Sequence, residues 1–151
     1  MKSVKIFLAS DHAGFELKNI LVEYLRAQGR EVTDYGPLHL DLGDDYPKLI
    51  KPLAHAVALE PGSMGIALGG SGQGEAMECN RVRGVRAAVY YGGPLEILKL
   101  SRRHNNANVL ALGARFVSAS EAKEAVDLWL GTPFSGEERH ARRIKELDQK
   151  P

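Results

Sequence analysis

Short apolar segments alternate with amphipathic segments along most of the chain. Segments of strand length lie at residues 4–9, 31–35, 64–68, 85–90 and 109–112. Runs of this length that are mostly apolar are typical of strands buried in a parallel sheet. The pattern therefore predicts five strands.

The segments between these strands show helical periodicity. Leu17, Leu21 and Leu25 form one stripe, and Gly29 follows at a position suited to end a helix. Pro47 suits the first turn of a second helix. The predicted helices cover residues 15–28, 47–60, 75–80, 94–104, 119–130 and 136–150.

This alternation predicts the fold class and the domain organisation. We expect an α/β protein with a single Rossmann-like three-layer domain over residues 1–151. It would contain a five-stranded parallel sheet with helices on both faces and a charged C-terminal helix over residues 136–150. Ser118 and Glu121 have the spacing of a capping box, which would open the helix before that one.

Composition limits the classes of function. The 20 basic and 19 acidic residues nearly balance, so no global field would recruit nucleic acid or an anionic membrane. No segment approaches the roughly 18 apolar residues of a membrane span, and the apolar stretch in the first ten residues is too short for a secretory signal. We therefore expect a cytoplasmic protein without a nucleic-acid or membrane partner.

The cysteine and histidine content argues against a disulfide framework and a metal site. Cys79 is the only cysteine, and the five histidines lack a paired spacing such as His-Glu-x-x-His. Cys79 is interpreted as a small packing residue. The sequence predicts no metal and no disulfide.

A glycine-rich turn that ends in Glu75 follows the third predicted strand. Gly69, Gly70, Gly72 and Gly74 lie within six residues. Glycine lets the backbone direct its amides toward a bound anion, because no Cβ blocks the approach. A carboxylate beside such amides could transfer a proton while they stabilise the negative charge that results. The turn therefore suggests carbanion chemistry.

The glycine turn has two other interpretations. The turn lacks the Gly-Lys-Ser/Thr ending of a P-loop, and a dinucleotide fingerprint would need Gly or Ala where Glu75 stands. Alternatively, Glu75 compensates the helix dipole in a first turn, an effect worth about 0.3–1 kcal/mol. The residues alone leave the choice between a base and dipole compensation open.

Ionisable residues follow two other predicted strands. Asp11 and His12 come directly after the first strand, and Arg115 follows the fifth. Ligands of open α/β sheets bind beyond the carboxyl ends of the strands, so these residues are candidates for ligand contact. Asp11 also fits a helix N-cap, and both roles are compatible.

The last predicted helix carries a cluster of arginines. Arg139 and Arg143 are four residues apart and share a face, whereas Arg142 points elsewhere. Two guanidinium groups side by side suit a phosphate. The alternative is a solvated face on which nearby glutamates pair with the arginines. His104 ends the fourth predicted helix, where a cationic imidazole would simply complement the dipole.

Taken together, five motifs spread over nearly the whole chain resemble the ribose-5-phosphate isomerase B family, which includes galactose-6-phosphate isomerase subunits. The motifs are Ser10-Asp11-His12-Ala13-Gly14, Asp45-Tyr46-Pro47, Gly69-Gly70-Ser71-Gly72, Ser101-Arg102-Arg103-His104-Asn105 and Arg139-His140-x-x-Arg143. The resemblance implies a Rossmann-like isomerase of aldose and ketose phosphates that needs no metal or organic cofactor. It also implies a homodimer, which could pair into a tetramer, with active sites shared between two subunits.

The resemblance further implies which residue is the base. Many members carry a cysteine base at the position of Gly69, which this chain lacks. Another branch uses a glutamate at the position of Glu75. Glu75 would then move the proton between C2 and C1 of the opened sugar, with Ser71 keeping a hydroxyl beside the reacting oxygens. Amides of residues 70–74, including Gly70, Gly72 and Gly74, and the side chain of Asn105 would hold the enediolate.

Other roles are carried over position by position. His104 and Asp11 are implied for opening the sugar ring, and Tyr46 for bordering the sugar. The residues implied for holding the phosphate are His12, Arg115, Arg139 and Arg143. His140 would face the site and receives no chemical step.

The leading hypothesis is interconversion of ribose 5-phosphate and ribulose 5-phosphate. Within the family, the alternative is a six-carbon substrate such as galactose or allose 6-phosphate. Outside it, the alternative is a non-catalytic nucleotide- or phosphate-binding module. A flavin site is disfavoured because Ser-Asp-His-Ala-Gly-Phe, rather than a Ser/Thr-rich loop, follows the first strand.

Overall fold

A computed structural model describes residues 3–151 and shows one five-stranded sheet. The strands are β1 (Lys5–Ser10), β2 (Glu31–Asp34), β3 (Met64–Gly69), β4 (Ala87–Tyr90) and β5 (Val109–Gly113). Every pair is parallel, and the order is β2-β1-β3-β5-β4. The chain first builds outward from β1 to β2 and then reverses to β3. This reversal opens a crevice between the carboxyl ends of β1 and β3, where open α/β sheets bind ligands.

Six helices connect or follow these strands in the described part of the chain. They are α1 (Phe15–Ala27), α2 (Tyr46–Leu59), α3 (Gln73–Cys79), α4 (Glu96–Arg103), α5 (Ala119–Leu130) and α6 (Glu138–Leu147). The predicted Rossmann-like α/β fold with a five-stranded parallel sheet is thus confirmed, and Ser118 and Glu121 form the predicted capping box.

Several boundaries differ from the sequence-based expectation by two or three residues, and specific contacts account for two of them. β4 begins at Ala87 rather than at residue 85, because the amide of Val85 closes a turn onto the carbonyl of Val82. α6 ends at Leu147 rather than at residue 150, because Asp148 leaves the helix and its Oδ2 accepts a hydrogen bond from the amide of Gly84 (2.9 Å). A local backbone turn decided the first of these ends, and a side-chain contact with a distant residue decided the second.

The core has two layers, one on each face of the sheet. One face packs Leu21 of α1, Leu98 of α4 and Trp129 of α5 against the strands, while the other packs Leu53 of α2 and Cys79 of α3. Alternate strand residues point to opposite faces, so each strand contributes to both layers. Cys79 is fully buried, in agreement with its interpretation as a packing residue. No helix among residues 3–151 is long and apolar enough to cross a membrane.

Candidate active site

Three loops meet at the carboxyl edge of the sheet and are joined by backbone hydrogen bonds. The amide of Asp11, after β1, donates to the carbonyl of Leu68 in β3 (3.1 Å). After β5, the amides of Ala114 and Arg115 donate to the carbonyls of Gly69 (2.8 Å) and Gly70 (3.1 Å). The loops after β1, β3 and β5 therefore form one continuous surface.

The glycine turn is packed closely from both sides. A Cβ at Gly74 would lie 2.6 Å from the ring of Tyr46, and one at Gly70 would lie 3.0 Å from Nη1 of Arg115. Gly72 has a positive φ of 80° and immediately precedes α3. The absence of side chains at these positions is what allows Tyr46 and Arg115 to approach the backbone.

Glu75 lies in the first turn of α3 and is almost completely buried, with 3% of its surface exposed. Burial and the negative charge of Asp11 raise the pKa of its carboxyl group to about 7. Dipole compensation alone would favour an exposed, charged carboxylate. Here burial outweighs the dipole, and a group that titrates near neutrality is suited to accept and return protons.

The Glu75 carboxylate occupies the space that a side chain at residue 69 would need. A Cβ added to Gly69 would lie 1.3 Å from Oε1 of Glu75. A cysteine at residue 69 and a carboxylate in this position therefore exclude each other. The chain's departure from the cysteine version of the motif is a steric requirement of its buried glutamate.

Asp11 has both a structural contact and access to the site. Its Oδ1 accepts a hydrogen bond from the amide of Gly14 (3.1 Å), immediately before α1, and the residue is 8% exposed. The expected N-cap role is therefore wrong: Gly14 occupies the N-cap position of α1 without a side-chain cap hydrogen bond, and Asp11 instead closes the turn before the helix. The charge of Asp11 also acts on Glu75, so the two carboxylates belong to one electrostatic unit.

His12 is held by Asp44, a residue that the sequence analysis did not identify. Oδ1 of Asp44 lies 2.8 Å from Nδ1 of the His12 ring and 3.2 Å from its backbone nitrogen. The hydrogen bond to Asp44 raises the pKa of His12, since it favours the imidazolium form. The one signal in the sequence was the acidic pair Asp44-Asp45 before Tyr46.

Nine predicted site residues thus share the carboxyl edge. Ser71 is exposed there, with its Oγ accepting a long hydrogen bond from the amide of Gln73 (3.4 Å). We refer to this set as the carboxyl-edge cluster: Asp11, His12, Tyr46, Gly70, Ser71, Gly72, Gly74, Glu75 and Arg115.

His104 and Asn105 lie at the opposite end of the sheet. α4 starts near the carboxyl end of β4 and runs back, so its C-terminal residue His104 comes close to the amino ends of the strands. There the amide of Asn108 donates to the carbonyl of Arg86 just before β4 (2.9 Å). β5 has five residues, so its length alone separates the two edges by about 13 Å.

α6 places the remaining candidate site residues beside His104, at the end of the sheet opposite the carboxyl-edge cluster. The rings of His104 and His140 stack with centroids 4.3 Å apart, and His140 is 6% exposed. Burial and the neighbouring His104 lower the pKa of His140. We call this set the His104 corner: His104, Asn105, Arg139, His140 and Arg143.

The arginines of α6 are exposed and differ in their contacts. Arg142 pairs with Glu138 on its own helix (2.8 Å), and Arg139 lies 3.1 Å from Glu137. The glutamates do pair with these arginines, as one of the two interpretations expected. Among residues 3–151, no group of three or more His, Cys, Asp or Glu side chains is arranged to hold a metal ion.

The sequence model of the ribose/galactose isomerase family matches residues 6–147. The chain belongs to this family. The isomerase family resemblance that its motifs suggested is thereby confirmed over nearly the whole chain.

Relatives and solved structures within the ribose/galactose isomerase family cover almost the same span. Ribose-5-phosphate isomerase B of Mycobacterium tuberculosis is 41% identical over 147 residues, which cover 97% of this chain and 90% of that protein. Ribose-5-phosphate isomerase B of Mycoplasma genitalium, solved with bound ribulose 5-phosphate, superposes with a TM-score of 0.91 at 40% identity, covering 97% and 95% of the two chains. The isomerase from Thermotoga maritima gives a TM-score of 0.90 at 41% identity, covering 97% and 99%.

Proposed function

We propose that this chain is an aldose–ketose isomerase that interconverts ribose 5-phosphate and ribulose 5-phosphate, with Glu75 as the proton-transfer base. The observation that carries this proposal is the buried Glu75 carboxylate, whose pKa is about 7, beside a glycine turn at the carboxyl edge. Relatives about 40% identical over nearly the full length are named ribose-5-phosphate isomerase B.

In the proposed reaction, the Glu75 carboxylate removes the proton from C2 of the opened aldose. The electron pair moves into an enediolate, whose oxygens are stabilised by the amides of residues 70–74. The same carboxyl group then returns the proton to C1, while the hydroxyl proton passes from O2 to O1. A base with a pKa near the working pH suits both steps, because it must accept and release a proton in one cycle.

The phosphate and the ring-opening groups complete the site. His12 and Arg115 both belong to the carboxyl-edge cluster, where the hydrogen bond to Asp44 raises the pKa of His12 and the charge of Arg115 opposes that rise. Holding the phosphate there would fix the distance from the reacting carbons to Glu75. Asp11 is the ring-opening candidate at the same edge, and His104 is the candidate from the His104 corner.

We infer that the His104 corner completes the carboxyl-edge cluster of a second subunit in a homodimer. Within one chain the two sets lie at opposite ends of the sheet. β4 is an edge strand that is only partly covered, and exposed apolar side chains lie around it. These are Met77, Tyr91, Ile97, Leu100 and Phe116. Burial of this surface against a second copy would bring two chains together.

The decisive experiment is an isomerase assay of the wild type, Glu75→Gln and Glu78→Gln. We expect conversion of ribose 5-phosphate by the wild type and a loss of about 10²–10⁴-fold in Glu75→Gln, because Gln cannot accept the proton. Glu78 lies one turn later on α3, beside Lys51 (3.6 Å), so Glu78→Gln is the matched control and should stay active. Full activity of Glu75→Gln would refute the assignment of the base.

Substrate choice requires a second measurement. kcat/KM for ribose 5-phosphate is compared with the values for galactose 6-phosphate and allose 6-phosphate, because specificity is the ratio of these constants. A higher value for a six-carbon substrate would replace the proposed substrate while keeping the reaction type. A nucleotide-binding module is disfavoured, since the carboxylate at the glycine turn would repel a pyrophosphate.

A further inference from the structure

Asp44 is an acidic residue at the carboxyl edge that the proposed reaction does not use. It lies in the loop between β2 and α2, and its side chain is 9% exposed. Its Oδ2 is buried without a hydrogen-bond partner among the described residues. A buried negative charge beside an anion site is unfavourable unless it acts on a particular partner.

That partner is His12, which Asp44 contacts at two atoms. The same oxygen, Oδ1, accepts from the backbone amide of His12 (3.2 Å) and lies 2.8 Å from Nδ1 of its ring. The first contact fixes the turn after β1, and the second fixes the orientation of the ring. Because Nδ1 faces a carboxylate, it carries hydrogen in both protonation states, which leaves Nε2 directed away from Asp44.

The charged groups around His12 come from three loops. Asp44, in the loop before α2, favours the imidazolium most strongly through its hydrogen bond. Asp11, which precedes His12 after β1, acts in the same direction, whereas Arg115 after β5 opposes it. The ring remains 31% exposed on its side chain, so an anion can reach it.

We propose that Asp44 is a positioning residue that holds the His12 ring and aims its Nε2 at the phosphate of a phosphomonoester substrate. This inference rests on the proposed function for the identity of the substrate. Without Asp44, His12 would titrate at lower pH and its ring would be free to turn. The substrate would lose one cationic donor in the pH window between the lowered pKa of the variant and the raised pKa of the wild type, while Glu75 would keep its place in α3.

The test compares Asp44→Asn with Asp41→Asn. Asp41 is exposed in the same loop and accepts from the amide of Gly43 (2.9 Å), a local turn that Asn also forms. The two variants therefore remove the same charge from the same loop. The pKa of His12 is measured by NMR titration of its ring in the ligand-free protein. Binding of inorganic sulfate, whose charge is constant near neutrality, is measured from pH 6 to 8.5.

In Asp44→Asn we expect a lower pKa for His12, sulfate binding about tenfold weaker at pH 7.5, and a KM raised by a similar factor with kcat changed less than about threefold. Asp41→Asn should change none of these. An unchanged pKa for His12, or a lower pKa with unchanged sulfate affinity, would overturn the inference. If the wild type does not isomerise ribose 5-phosphate, but the titration and sulfate results are as expected, the reaction is wrong and the role of Asp44 stands.

Discussion

The carboxyl-edge cluster and the His104 corner are held in different ways. In the first, backbone hydrogen bonds join three loops, and glycines let side chains pack onto the turn that leads to Glu75. In the second, the ring stack of His104 and His140 secures a helix whose arginines are exposed. The group proposed to move the proton is thus pre-organised within one chain. The groups of the His104 corner, which are proposed to complete the site, lie at the surface of the chain.

The largest effect should come from recombining the two regions. Glu75→Gln and His104→Asn should each be nearly inactive, yet mixed subunits should recover about a quarter of wild-type activity, because half of the dimers are mixed and each has one intact site. Activity is measured after subunit exchange, with heterodimers quantified by native mass spectrometry. Abundant heterodimers without recovered activity would show that the sites are not shared.

A change confined to the carboxyl-edge cluster should also be severe. In Gly69→Ala the new methyl group would lie 1.3 Å from Oε1 of Glu75 and must expel the carboxylate. We expect kcat/KM to fall at least about 100-fold, as for loss of a general base, while circular dichroism stays unchanged. Gly43→Ala is the control, since its Cβ would have only an ordinary contact at 3.5 Å. Near-normal activity of Gly69→Ala would contradict the described packing of Glu75.

The burial of Glu75 should also lower the free energy of unfolding once its carboxyl group is ionised. Its folded pKa of about 7 lies above the ordinary value of 4.5, so the folded state binds more protons between these values. The stability of the wild type should therefore fall as pH rises through this window, and Glu75→Gln should escape this loss. The difference should reach about 3 kcal/mol above pH 7. Urea unfolding of the wild type and Glu75→Gln at pH 5 and pH 8 measures this loss. The same difference in unfolding free energy between the two proteins at both pH values would contradict the prediction.

The smallest effect is expected at the exposed arginines of the His104 corner. Arg139→Ala should raise KM for ribose 5-phosphate about tenfold by removing a phosphate contact. Arg142→Ala should leave KM unchanged, because Arg142 does not share the helix face of Arg139 and Arg143. Steady-state kinetics with ribose 5-phosphate give KM for both variants. Equal KM values for Arg139→Ala, Arg142→Ala and the wild type would favour the interpretation of this helix face as a solvated surface.

Most of the fold could be predicted because its signals are local. The apolar runs that became β1, β3 and β5 are buried throughout or nearly so, and Ser118 caps α5 through contacts within four residues. The start of β4 was wrong by two residues, because a local backbone turn at Val82–Val85 delays the strand. The end of α6 was wrong by three residues, because Asp148 and Gly84 meet only in the folded chain.

The candidate site was predictable only in part. Asp11 and Arg115 were found because they directly follow strands, and the strand order brings those ends together. Asp44 was missed because its partner His12 is 32 residues away in the sequence. The separation of His104 from Glu75 depends on the direction of α4 relative to the sheet, which residue types do not reveal.

The sequence by itself determined the strands, the helices, the glycine turn and the family motifs, since each depends on neighbouring residues. It left open whether Glu75 serves only the dipole of its helix. The tertiary structure adds that Glu75 is a buried carboxyl group with a pKa of about 7, because Gly69, Asp11 and the packed sheet form its environment. Burial and the distance between charges are properties of the folded chain, and they set the energy of the charge on Glu75.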